Sequence, residues 1–139
     1  MIAGGKPGGM KTVTDCVLDA SAVLALLQNE PGGMSIAVLL PRAAISAVNL
    51  SEVIAKLIDH GATPEAAEAV IGQLSFEVVP ATPEAGRRAG RLHARTRGRG
   101  VSLGDRFCLT LAMELGSPVF TADQAWAGLD LDLDIRLIR

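Results

Sequence analysis

Four acidic residues, Asp19, Glu52, Asp105 and Asp123, stand at or just after points where the sequence turns into a helical pattern. The first is the sharpest. Cys16-Val17-Leu18 is a short apolar run that ends in a lone carboxylate, Asp19, with a helical pattern following at once from Ala20-Ser21. Runs of this length suit a buried parallel strand, and open α/β sheets bind ligands outside the carboxyl ends of their strands. Glu52 lies in Asn49-Leu50-Ser51-Glu52, Asp105 in Ser102-Leu103-Gly104-Asp105, and Asp123 in Thr121-Ala122-Asp123. In a parallel sheet at least Asp19, Glu52 and Asp123 emerge from one edge. Carboxylates facing one point raise one another's proton affinity unless a cation neutralises them. All four are oxygen donors with no His or Cys among them, which suits Mg2+ or Mn2+ rather than zinc. Mg2+ held this way keeps several waters, one of which can be activated against a phosphodiester. Ser21 and Thr121, each two residues from an acid, could steady a ligand or a water from behind the carboxylates. Ser21 reads equally well as a helix cap.

A plainer role competes for the acids. Asn49-x-x-Glu52 and Ser102-x-x-Asp105 both have the form of a capping box, in which the acid satisfies a free amide at the helix start. The helix dipole also favours acids there, with no catalytic role implied. Capping suffices for any one of them alone. Four together favour a shared site, because a cap needs only one acid per helix.

The elements that would position these residues can be read along the chain. Strands are expected at Cys16 to Leu18, Ala43 to Val48, Phe76 to Val79, Val119 to Thr121 and Ile135 to Ile138. Between them run helical patterns. One follows Asp19; another spans Met34 to Leu40, closed by Pro41. Asn49 caps a helix from Leu50 to about His60. Thr63-Pro64-Glu65 and Thr82-Pro83-Glu84 are clean starts, with cap, proline in the first turn, then acid. The second of these helices runs to about Thr96. Ser102 opens one to Leu115, and a short helix lies near Gln124 to Ala127. Strands separated by helices argue for a parallel sheet covered on both faces, in one α/β domain.

Composition bounds the reading. With 139 residues the chain holds one domain with a proper core. Hydrophobic residues make up 49% and mean hydropathy is +0.34, which excludes a disordered chain and leaves apolar surface for a partner or a second copy. Val23, Leu26, Leu27, Leu39, Leu40, Ile54 and Ile58 are candidates for that surface, or else all core. Aromatic residues are only 3%, so an aromatic platform for bases is excluded. Cys16 and Cys108 read as buried small hydrophobes, consistent with a reducing cytoplasm. No apolar segment approaches the length of a membrane span. Residues 1–11 read as a flexible, Gly-rich leader and 12–139 as the domain, with Met10 as an alternative start.

The net charge of −2 hides a local imbalance. Arg87, Arg88, Arg91, Arg95, Arg97 and Arg99 fall in one stretch, and Asp and Glu are absent from Ala85 to Leu103. Arg87, Arg91 and Arg95, spaced by four, form a stripe on one helix face with Arg88 beside it. Such a stripe can hold RNA phosphates without discriminating sequence; the alternative is an ordinary solvated face. His60 and His93 lack helix-spaced ligand companions. Asp130, Asp132 and Asp134 alternate with leucines, as in a half-buried extended segment with a wet face. Met34 and Met113 are expected to pack.

Together, Val17-Leu18-Asp19-Ala20-Ser21-Ala22, Leu50-Ser51-Glu52-Val53, Ser102-Leu103-Gly104-Asp105 and Phe120-Thr121-Ala122-Asp123 resemble the PIN-domain family, and within it the VapC-type ribonuclease toxins of bacterial toxin–antitoxin pairs. The resemblance runs from Cys16 to Arg139 and departs only at the glycine leader. It implies a five-stranded parallel sheet of order 3-2-1-4-5 between helices, and Mg2+- or Mn2+-dependent endoribonuclease activity. By matched position Asp19, Glu52, Asp105 and Asp123 are its metal-binding acids. Asp19 and Asp105 are the foremost direct ligands, and the other two act directly or through water. The implied partners are an RNA substrate, a cognate antitoxin and a second copy of the chain. Alternatives are a PIN-type RNA-processing nuclease without an antitoxin, and a non-catalytic nucleic-acid-binding module whose acids only cap helices. A phosphoacceptor receiver domain fits poorly, lacking paired acids at the first strand.

Overall fold

A computed structural model describes residues 14–139. The leader expected at residues 1–11, and its boundary with the domain, lie outside the described residues. Five short strands, β1 (Cys16–Leu18), β2 (Ala43–Ser46), β3 (Glu77–Val79), β4 (Val119–Thr121) and β5 (Ile135–Leu137), pair in parallel in the order β3-β2-β1-β4-β5. Six helices connect them: α1 (Ala20–Leu27), α2 (Gly33–Leu39), α3 (Ala47–Asp59), α4 (Pro64–Gly72), α5 (Pro83–Thr96) and α6 (Leu103–Leu115). Short 3-10 turns cover Leu40–Arg42 and Gln124–Gly128. This is the expected sheet and the expected strand order.

The period-2 alternation of a strand divides the core in two. Cys16 and Leu18 of β1 cluster with Val23, Ile36, Ile45 and Val53, on the side of α1, α2 and α3. Val17, between them in sequence, clusters with Val119, Leu92, Cys108, Leu109 and Trp126, on the side of α5 and α6. Burial on both faces is why β1 reads as an unbroken apolar run. Both cysteines are free and buried, as small hydrophobes.

Helix starts follow the side chains available. Thr63 and Thr82 cap α4 and α5, each with proline in the first turn and the hydroxyl accepting from the third amide on, at 3.1 Å. Ser102 caps α6. At α3 the expectation needs correction. Strand β2 stops at Ser46, whose hydroxyl accepts from the Val48 amide at 3.1 Å, so Ser46 is the cap and Asn49 sits inside the first turn. Asn49 is thereby freed for another use.

Other expectations also shift. Val23 and Leu40 are core residues, Leu26, Leu27, Leu39 and Ile54 are partly buried, and only Ile58 of that proposed apolar surface is exposed. Met34 does not pack: it is 73% exposed, beside Val38 one turn on at 80%. Asp130, Asp132 and Asp134 are exposed between partly buried leucines, as the alternation requires. Among the described residues no helix is long and apolar enough to cross a membrane.

Candidate active site

The strand order has a consequence at the carboxyl edge. From β1 the chain steps outward to β2 and β3, then returns to the opposite side of β1 to form β4. The connections therefore diverge at the ends of β1 and β4, which opens a crevice there. Leu18 pairs with Phe120, so Asp19 and Thr121 are the next residues out of the sheet and stand side by side.

Asp19 caps α1, its Oδ1 accepting from the Ala22 amide at 2.9 Å. The Ser21 hydroxyl donates to the same oxygen at 2.7 Å, and the Thr121 hydroxyl donates to Oδ2 at 2.6 Å. Those hydroxyls in turn accept from the Ala122 and Asp123 amides, at 2.8 and 3.0 Å. Ser21 and Thr121 thus stitch the end of β1 to the end of β4 through one carboxylate, and the cap is Asp19, not Ser21. Asp19 is only 5% exposed. Burial raises its pKa to about 6; the three hydrogen bonds oppose that shift, and the nearby Asp105 charge adds to it.

The other acids arrive on separate elements. Asp105 closes a capping box at the start of α6: its Oδ2 accepts from the Ser102 amide at 2.9 Å, and the Ser102 hydroxyl accepts from the Asp105 amide at 3.1 Å. Asp123 caps the 3-10 turn that follows β4, accepting from the Ala125 amide at 3.0 Å. Glu52 caps nothing. Its Oε1 accepts from the side-chain amide of Asn49 at 2.9 Å, and the same Asn49 nitrogen donates to the Gly104 carbonyl at 3.0 Å. A cleft of about 340 Å3 is lined by Asp19, Ser21, Asn49, Glu52, Asp105 and Asp123, with Leu24, Lys56 and Asp59 on the same wall. Capping and convergence therefore coexist: Asp105 and Asp123 each cap with one oxygen and have a second to offer, while both oxygens of Asp19 also accept from hydroxyls.

Among the described residues no three His, Cys, Asp or Glu side chains are already gathered as a metal-binding group. The chemistry of the cleft nonetheless fits a hard cation. Its acids are all oxygen donors, and among the described residues Asp19 is buried with no ion pair and Asn49 Oδ1 is a buried acceptor with no donor. Lys56 is the one cation among the residues lining the cleft, and it enters no ion pair among the described residues.

The arginines form a separate region, and none of them lines the acidic cleft. Glu84 reaches Arg87 at 3.1 Å, Arg91 at 3.4 Å and Arg88 at 3.6 Å, and Arg88 also approaches Glu114 at 3.8 Å. Arg95 donates to the Asp130 carbonyl at 3.3 Å and Arg99 to the Gly128 carbonyl at 2.6 Å, while Arg97 is exposed. Arg88, Arg91 and Arg95 line a groove of about 310 Å3 with Leu92 and Met113. Glu114 lies nine residues beyond Asp105 on α6, about 14 Å along the axis. Arg88 also lines a second pocket with Ser46, the cap of α3, and with Phe107 of α6.

Sequence reasoning missed the roles of Asn49, Gly104, Lys56 and Asp59. Lys56 and Asp59 were legible: they stand four and seven residues after Glu52, on one helix face. The Asn49–Gly104 contact had no sequence signal, because it joins two elements.

No curated protein sequence matches the chain. Among solved structures it is similar to DNA-bound VapBC from Salmonella typhimurium, with TM-score 0.70, 21% identity, 91% of this chain covered and 100% of that one. It is similar to the sarcin-ricin loop cleaving toxin VapC20 from Mycobacterium tuberculosis, with TM-score 0.68, 19% identity and coverage of 83% and 96%. A third is VapBC-5 from Mycobacterium tuberculosis, with TM-score 0.59, 25% identity and coverage of 91% and 98%. The PIN domain family model matches residues 16–130, a stretch that contains all four acids of the cleft. The chain belongs to the PIN-domain family.

Proposed function

We propose that the chain is a metal-dependent endoribonuclease and the toxin of a toxin–antitoxin pair. The observation that carries this reading is the convergence of Asp19, Glu52, Asp105 and Asp123, from four elements, on one cleft at the sheet's carboxyl edge. Capping accounts for three of these acids and leaves Glu52 unexplained. The VapBC and VapC proteins of similar fold support the toxin assignment and, with it, a cognate antitoxin as partner.

Asp19, Glu52, Asp105 and Asp123 would hold Mg2+ or Mn2+, which supplies a Lewis acid and an acidified water for phosphodiester hydrolysis. Thr121 and Ser21 fix the rotamer of Asp19 through their hydroxyls. Lys56 meets the substrate phosphate at the mouth of an otherwise negative cleft. Arg95, Arg97 and Arg99 tether the RNA backbone on the approach, and Arg87, Arg88 and Arg91 extend that track along α5.

The test is cleavage of a mixed cellular RNA pool by the purified chain in Mg2+, in Mn2+ and in EDTA, beside the Asp19→Asn, Asp105→Asn double variant. Discrete fragments that need metal and vanish with the variant are expected. Equal cleavage by both proteins would assign the activity to a contaminant. No cleavage together with no Mn2+ binding would return the acids to helix capping.

A further inference from the structure

Glu52 is held in an unusual place. A Cβ built on Gly104 would lie 2.1 Å from Glu52 Oε2, 2.6 Å from its Cδ and 2.8 Å from its Oε1. The carboxylate therefore rests directly on the backbone of the first turn of α6, one residue before Asp105. All three of these near atoms belong to the Glu52 carboxylate, so only a hydrogen at Gly104 permits the contact.

Asn49 closes the arrangement from α3. It is 1% exposed, and its amide nitrogen bridges Glu52 Oε1 and the Gly104 carbonyl. One buried side chain thus ties an acid of α3 to the helix that carries Asp105. Its Oδ1 remains a buried acceptor without a donor, although Asn49 belongs to the wall of the cleft. A buried, unpaired polar atom is costly where it serves only packing.

We propose that Asn49 and Gly104 form a positioning latch that holds the Glu52 carboxylate beside Asp105 for a divalent cation. Oδ1 of Asn49 accepts from a water of the loaded site. The proposal rests on the metal reading above and names the residues that set the separation of two of its acids. Asn49 and Gly104 act through Glu52 and are positioning residues, not ligands.

The informative variant is Gly104→Ala, because it adds one methyl group that falls on the Glu52 carboxylate. Alanine also suits a helix better than glycine, so the fold is kept. Mn2+ binding is measured by titration at pH 7.5, with free Mn2+ read by electron paramagnetic resonance, and thermal melting is followed in EDTA. Gly86→Ala, at a helical glycine with open space around it, is the control. The expected result is a loss of about 10- to 100-fold in Mn2+ affinity for Gly104→Ala and Asn49→Ala, as for other groups that orient a metal's ligands. Gly104→Ala and Gly86→Ala keep the parent's melting behaviour in EDTA, and Gly86→Ala keeps its affinity. In a Glu52→Ala background, where the methyl has nothing to displace, Gly104→Ala has no further effect.

Mn2+ affinity of Gly104→Ala within twofold of the parent overturns the latch and leaves the metal reading standing. A loss that persists undiminished in the Glu52→Ala background also overturns it, since Gly104 would then act independently of Glu52. A parent chain that takes no Mn2+ overturns the metal reading and the latch together.

Discussion

Helix α6 meets two opposite electrostatic regions. At its N-terminal end it borders a cleft in which carboxylates of one sign converge, one of them buried and driven toward its protonated form. Along its flank it borders the arginines of α5, which are exposed, already paired with Glu84 and Glu114, or bonded to loop carbonyls. The difference is one of unspent against satisfied charge. Exposed pairs in water contribute little and are easily exchanged for other partners, so the arginine face is a place for reversible contact. A buried carboxylate without a cation destabilises the fold that holds it, so the cleft stores free energy that a ligand can release.

The comparison breaks most visibly at Asp19 and Asp105. The double Asn variant is expected to lose more than about 100-fold in metal-dependent cleavage, above the range for removing a group that merely orients a ligand. Single-turnover assays in Mg2+ would check it. In the same variant, Mn2+ should no longer raise the melting temperature at pH 7.5, whereas the parent should gain stability with Mn2+ concentration as any selectively bound ligand requires.

Next in size is a change in the metal-free fold. The pKa of Asp19 is raised from 3.8 to about 6 on folding. Its contribution to stability is therefore fully present below about pH 4 and is lost as pH rises through 6. In EDTA, Asp19→Asn should be more stable than the parent at pH 7.5 by about 1–3 kcal/mol, and the gap should close by pH 4. Urea unfolding at the two pH values measures it. A parent as stable as the variant throughout would mean that the cleft stores nothing.

Smaller effects are expected on the arginine side. Replacing Arg91 and Arg95 with Ala should weaken RNA binding and lower the slope of log affinity against log salt by about 1.4, two single-strand phosphate contacts' worth. Arg95 and Arg99, whose side chains meet loop carbonyls rather than acids, should cost more than Arg87 and Arg91, whose charge Glu84 already pairs. Filter binding across a salt series separates the pairs, and equal affinity for all of them would remove the arginines from the RNA track. The smallest change is Glu84→Gln, which frees three arginines at once. It should raise RNA affinity slightly and leave the melting temperature where it was.

Much of this was readable beforehand, for reasons that can be located. Helix α5 begins at the Thr82-Pro83-Glu84 start and ends at Thr96, as expected, because helix-capping signals act locally. Asp105 was read both as a cap and as a site acid, and the capping geometry is present in the structure. Asn49 was misread because Ser46, three residues earlier, competes for the same cap and wins by ending β2 first. The window free of acids from Ala85 to Leu103 suggested a bare arginine stripe. Glu84, one residue outside it, reaches forward along the helix to arginines three, four and seven residues on, a spacing the sequence did show. Met34 looked like packing because helical periodicity reports a stripe but not whether anything covers it.

Asp19, Asp105 and Asp123 also start a helix or a 3-10 turn. An Asp→Ala change at Asp19 or Asp123 therefore removes a helix cap along with a cleft carboxylate, and any loss of activity would be inseparable from fraying of α1 or of the turn after β4. Asparagine caps about as well as aspartate, which makes it the substitution that separates chemistry from folding. The same economy acts on the chain over generations. Single losses of these acids leave the scaffold intact only where asparagine takes their place, so folded descendants that lack the cleft carboxylates should carry Asn there more often than Ala.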